Sequence, residues 1–174
     1  MPGYVIHLAV AEEYLKKHKN KIEKYEDFIE GVIFPDSVKD KSETHYGIKS
    51  SKANLVNFLK ENKLDNSFNR GYFLHLLTDY LFYNKYIDTM TKDMYNDYDL
   101  LNRYLINRYN VKVPEKVSNQ VFFKEEGELK ILSKELVDTL ISEISDFLID
   151  ELEIAIKNNP EKWTFFRDLK KEFK

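Results

Sequence analysis

His75 and Asp79 lie four residues apart in the run GYFLHLLTDYLFYNKYI, which contains no proline. On a helix this spacing places both side chains on one face, one turn apart. An imidazole nitrogen and a carboxylate can then grip one cation, and the carboxylate can bridge to a second. A hydrogen-bonded His–Asp pair inside an aromatic core has the same spacing. The neighbours Gly71, Tyr72, Phe73, Leu74, Leu76, Leu77, Tyr80, Leu81 and Phe82 are nearly all apolar, so Asp79 is expected to be buried. A buried carboxylate must be paired, protonated or bound to a cation, and no Lys or Arg lies within one turn of it on the same face.

Three further residues are candidate ligands. His7 sits on an otherwise apolar face with Tyr4 and Ala11, where a hydrogen-bonded core histidine is the ordinary occupant. Asp36 follows Pro35, a usual place for a turn aspartate. His45 lies in a polar stretch where it could simply be solvated. His18, in Lys-Lys-His-Lys, reads as a solvated helix end. With no cysteine in the chain, thiolate zinc sites, disulfides and cysteine nucleophiles are excluded. Any metal must therefore be held by imidazole, carboxylate, carbonyl or water.

The elements that must position these groups read as helices. Apolar spacing predicts helices over Tyr4 to about Lys17, Tyr25 to Gly31 with Gly31 as a stop, Ala53 to about Glu61, and Phe68 to about Thr89 as the central helix. Pro35 disfavours a helical Phe34 and leaves Asp36 on a turn or loop. Residues 39–51 are expected to be irregular. Lys92 to Arg108 is helical in pattern, and 111–131 reads as a small hairpin around Glu126-Gly127 or as a loop with short turns. Ser133 to Lys157 reads as one long helix with Ser133 as N-cap, and Glu161 to Phe173 as a final helix whose terminal lysines suit its dipole.

Composition agrees with an all-α, single-domain bundle of about six to eight helices around a metal-containing cleft, spanning residues 1–174. The chain has only five Gly and four Pro, and 43% of it is hydrophobic, enough for a core. A net charge of -3 supplies no electrostatic reason for strong nucleic-acid or membrane-surface binding. The start MPGYVIH lacks the basic and apolar regions of a signal peptide, and no segment approaches the ~20 apolar residues of a membrane span. The expectation is a cytoplasmic protein.

The order M-P-G-Y-x-x-H, then G-x-I-x-P-D at Gly31 to Asp36, then T-H-Y-G around His45, then G-Y-F-L-H-L-L-T-D-Y at Gly71 to Tyr80 resembles the zinc-dependent phospholipase C family, whose helical fold is shared with S1/P1-type nucleases. The resemblance covers about residues 1 to 110. It implies that His75, Asp36 and His45 hold one ion and that Asp79 bridges it to a second ion bound also by His7. The metal would be Zn or another divalent transition metal such as Mn, Fe or Ni. Secreted members use an N-terminal Trp on the second ion, and two further His and a Glu on a third. This chain has no Trp near its start and no His after His75. A third site would need carboxylates such as Asp93, Asp97 or Asp99, although an acidic helix start is the ordinary reading of that segment.

The activity so implied is metal-dependent hydrolysis of a phosphoric ester by a water that two ions activate. Asp36 would orient the water, Asp97 would be a candidate proton shuttle, and the substrate would be a small soluble phosphoester or a phospholipid. The rival expectation is a non-catalytic, metal-stabilised helical scaffold or binding protein. An HD-type phosphohydrolase ranks lower, because no adjacent His-Asp doublet occurs.

Overall fold

Apolar side chains at helical spacing bury best when helices cross closely, and the closest crossing here is made by glycine. In the computed structural model, which describes residues 3–19 and 23–172, helix α2 (Tyr25–Ile33) lies against helix α5 (Ser67–Leu81). A Cβ at Gly31 would stand 2.0 Å from the Phe68 carbonyl oxygen, and one at Gly71 would stand 2.0 Å from that of Phe28. The two backbones therefore touch at reciprocal glycines, as only residues without a side chain allow. Asn66 starts α5 by accepting a hydrogen bond from the Asn69 amide at 2.8 Å. From Arg70 to Tyr80 every residue of α5 is buried, so it is the central helix the sequence predicts.

Helix α1 (Tyr4–Lys17) packs on α2, on α5, on α6 (Asp93–Tyr109) and on α8 (Lys134–Ser145). Its stretch from Tyr4 to Ala11 is buried on all sides. Short helices α3 (Lys41–His45), α4 (Leu55–Glu61), α7 (Glu115–Ser118) and α9 (Ile149–Asn158) complete nine α-helices among the described residues. The fold is all-α. Its only sheet among those residues is a parallel pair, β1 (Thr89–Thr91) with β2 (Lys170–Glu172). No helix among them is long and apolar enough to cross a membrane.

Several expectations are corrected. Gly31 is no helix stop: α2 continues to Ile33. His45 is not on an irregular loop but ends α3, which Asp40 caps by accepting from the Ser42 amide. The central helix stops at Leu81 and loosens into a π-type turn over Phe82–Tyr86. No hairpin forms over residues 121–131. The long helix from Ser133 breaks into α8 and α9, with Ser133 capping the first by accepting from Leu136 N. At the break, Lys17 donates to Ser142 O, Ser145 Oγ and Asp146 Oδ1, and His18 Nε2 is 2.7 Å from Ser145 O, so His18 is a partner of the α8 end. Among the described residues no final helix forms, and Phe173, the end expected for it, lies outside them. A single 3-10 turn, Pro160–Trp163, leads into extended chain and β2.

Candidate metal centre

Four elements deliver five side chains to one point. His7 comes from the end of the first turn of α1, Asp36 from a 3-10 turn over Phe34–Asp36, His45 from the end of α3, and His75 and Asp79 from adjacent turns of α5. Hydroxyl groups lock the two short elements. Tyr4 donates to Asp36 O at 2.9 Å, Thr44 Oγ1 to Pro35 O at 2.7 Å, and Tyr72 to Thr44 O at 2.6 Å. Tyr72 lies one turn before His75 on α5, so the helix carrying two of the ligands also holds the segment carrying His45.

Asp36, His45, His75 and Asp79 form a buried group that could hold a metal ion, each offering one donor atom within 4.8 Å of the others. His45 Nε2 is 2.8 Å from Asp79 Oδ2 and 3.5 Å from Asp36 Oδ1. His75 Nε2 is 3.2 Å from Asp79 Oδ2 and 3.6 Å from Asp36 Oδ1. Donors bonded at about 2.1 Å to one tetrahedral ion stand about 3.4 Å apart, so these spacings suit a coordination shell. The far nitrogens agree. His75 Nδ1 is 2.6 Å from Val32 O, and His45 Nδ1 is 2.7 Å from Lys41 O. A carbonyl there accepts an Nδ1–H, so each Nε2 faces the group, where a cation could take the place of a proton shared with Asp79.

His7 stands on the other edge. Its ring stacks on that of His75, with centroids 3.6 Å apart and planes 8° from parallel. Its Nε2 is 3.0 Å from Asp79 Oδ1 and 3.9 Å from Asp36 Oδ2. Each carboxylate thus turns one oxygen to the His45–His75 pair and the other to His7. Both oxygens of Asp36, Oδ1 of Asp79, Nε2 of His75 and both ring nitrogens of His7 are buried without a hydrogen-bond partner. Native interiors seldom leave such atoms unsatisfied, and a cation is the partner that this donor set fits.

The electrostatics point the same way. Burial alone would depress His75, but Asp79 and Asp36 outweigh it and push it up to about 10. Burial opposes the charge of Asp79, yet His75 and His7 hold it well below the carboxylate range. His7 is lowered by burial and by neighbouring His75. Tyr4 is pushed up to about 12 by burial and the Asp36 charge. Asp36 is lowered by His75 against the effect of burial, so both carboxylates stay ionised inside the protein and demand positive charge nearby, which without an ion a proton on His75 supplies and which a bound cation would supply in its place.

Asp97 has a different task. Its carboxylate accepts from the amides of Lys130, Ile131 and Leu132 at 2.9, 2.7 and 2.8 Å. It staples the 128–132 segment to α6, which accounts for its burial and corrects the picture of a proton shuttle or third-site ligand. Asp93 and Asp99, on the same helix, are not among the cluster residues either. The expected cleft is also corrected, since the side chains of His7, Asp36, His45, His75 and Asp79 are only 0–1% exposed. Sequence reasoning missed the carbonyls of Val32 and Lys41, which no residue type announces, and the Lys41 ammonium, 4.0 Å from Asp36 Oδ1.

Comparison with known protein families, curated proteins and solved structures gives no match.

Proposed function

We propose that the protein is a metal-dependent phosphoric-ester hydrolase of phosphodiesterase or phospholipase C-like chemistry. The observation that carries this reading is the split of both carboxylates between two imidazole edges. That arrangement suits two ions sharing Asp36 and Asp79, the first held with His45 and His75 and the second with His7. Divalent ions there would supply Lewis acidity to phosphoryl oxygens and make a neighbouring water acidic enough to attack phosphorus near neutral pH.

The chain's own residues do the rest. Val32 and Lys41 carbonyls fix the two imidazole tautomers. Asp36, on a rigid turn clamped by Tyr4 and Thr44, holds the water's orientation through an oxygen that makes no other hydrogen bond. Phe34, whose ring packs at a tilt against Phe68 and Tyr72 and which is exposed two residues before Asp36, offers an apolar wall for the alcohol part of the ester. A soluble phosphoester is the substrate class in this reading.

The sealed side chains favour a second reading, a non-catalytic helical protein that metal stabilises for binding or scaffolding. The test is elemental analysis together with turnover of bis-p-nitrophenyl phosphate by wild type, His75→Ala and Asp79→Ala, with helicity checked by circular dichroism. Turnover that tracks metal content and vanishes in both variants supports the hydrolase. Stoichiometric metal without turnover across a phosphoester panel supports the scaffold. Purified protein that takes up no transition metal removes both readings.

A further inference from the structure

Helices α4 and α9 pack against each other, and with the 3-10 turn that starts at Pro160 they leave a hollow of about 260 Å³. Val56, Leu59 and Lys60 line it from one face of α4, as their spacing dictates. Ile156, Lys157 and Pro160 line the facing side. Leu59 and Ile156 are buried and Val56 is half-buried, so the interior of the hollow is aliphatic. Lys60 and Lys157 are exposed.

Both lysines stand in the last turns of their helices, where a cation suits the dipole. The dipole accounts for each lysine separately, but not for two such ends meeting at one apolar hollow. Lys60 has no ion pair or hydrogen bond among the described residues. Lys157 has only the exposed Glu153 pair, at 3.6 Å. Long flexible stems let both ammonium groups swing over an apolar surface while staying wet. The charge of the rim therefore complements an anion, and the interior complements an alkyl chain. Size narrows the occupant. The hollow falls just below the roughly 300–1,000 Å³ of pockets for drug-sized molecules, and a docked helix would need a longer row of anchors. A single slender chain fits it best.

We propose that this hollow binds a medium-chain fatty carboxylate, with the alkyl chain against Val56, Leu59 and Ile156 and the carboxylate between the ammonium groups of Lys60 and Lys157. None of the five cluster side chains lines the hollow. The inference therefore goes beyond phosphoester hydrolysis and stands whether or not the cluster holds metal.

Decanoate titrated into the full chain and followed by calorimetry tests this. One saturable equivalent is expected, with affinity rising about fourfold per methylene from hexanoate to decanoate, the transfer free energy of one CH2 group. Decanol, which has the chain without the charge, is expected to bind more weakly. Replacing both lysines, Lys60→Met with Lys157→Met, keeps apolar stems and is expected to lower decanoate affinity roughly threefold to tenfold, because exposed ion pairs are individually weak. Val56→Trp fills the hollow from a half-buried position and is expected to abolish binding with helicity unchanged. The lysine pair lies at exposed positions and decides the matter if Val56→Trp does not fold. Wild type without saturable binding overturns the proposal, as does an affinity indifferent to chain length, to the lysine replacements or to a folded Val56→Trp. Decanol that binds as tightly as decanoate also overturns it. So does self-association that Val56→Trp abolishes and decanoate leaves unchanged, which would make a second copy of the chain the occupant.

Discussion

The reciprocal glycine crossing makes the candidate metal centre sensitive to a single methyl group at a position that offers no donor atom. In Gly71→Ala the new Cβ would stand 2.0 Å from Phe28 O, whereas ordinary contacts begin near 3.4 Å. The obstacle is backbone, so no rotamer change relieves it, and α2 and α5 must part by about 1.4 Å at that point, the difference of the two distances. The Val32 O to His75 Nδ1 contact, 2.6 Å in the native protein, spans the same two helices. Widened by that amount it reaches about 4.0 Å, beyond hydrogen-bond range. Overpacking of this kind costs roughly 1–3 kcal/mol, and the helix propensity gained on replacing glycine returns about 0.5–1 kcal/mol. The net loss of about 0–2.5 kcal/mol corresponds to a Tm lower by up to roughly 10 °C for a chain of this size. Loss of the carbonyl that orients His75 weakens metal binding by roughly 10- to 100-fold. Competition titration against a chromogenic chelator measures the second effect, and thermal denaturation of metal-free protein measures the first. A Gly71→Ala protein as stable as wild type, with metal affinity within about threefold, refutes the argument that this backbone contact sets the position of His75.

Two further outcomes follow from the same geometry. Asp97→Ala removes the acceptor of three amides in the 130–132 segment, so urea unfolding is expected to lose about 3 kcal/mol of stability while metal stoichiometry stays unchanged; lost metal with stability intact would instead make Asp97 a ligand. Chelator-stripped protein is expected to melt about 5–11 °C below protein held at 100 times its metal Kd, since binding at that ratio contributes about 2.7 kcal/mol; coincident melting curves would count against any ion at the cluster.

What the sequence makes legible depends on how each constraint is encoded. His75 and Asp79 are readable because helical periodicity brings residues four apart together, and the apolar letters around them announce burial. Asp36 and His45 carry no such signal, because their approach to α5 is a tertiary event made by Tyr4, Thr44 and Tyr72 hydroxyls bonding to backbone carbonyls. Gly31 looks like a helix terminator and acts as a helix contact, two roles that share one cause, the missing Cβ. The final segment misleads for a different reason. Its local pattern suits a helix, but Trp163 and Phe166 dock on Tyr80, and Arg167 donates to the Tyr83 and Ile87 carbonyls at the π-type turn. Those long-range contacts require extended chain, and tertiary demand overrides weak propensity.

Donor count connects the identity of the metal to the function. Asp36, His45, His75 and Asp79 supply four protein donors to one point, one more than catalytic zinc sites usually have, and the number that closes a tetrahedral structural site. Zinc held by all four, with side chains this deeply buried, belongs to the scaffold reading, since neither water nor ester oxygen has a position to occupy. An ion that prefers six donors, such as manganese, iron or nickel, takes the same four and keeps two positions for reactants. Sharing Asp36 and Asp79 with a second ion at His7 achieves the same end by drawing on the carboxylate oxygens that face away from the first. Hydrolysis therefore requires either a six-coordinate ion or the His7 edge. His7→Ala separates these routes: with a single six-coordinate ion, turnover survives the substitution, and with a shared pair it is lost along with one equivalent of metal.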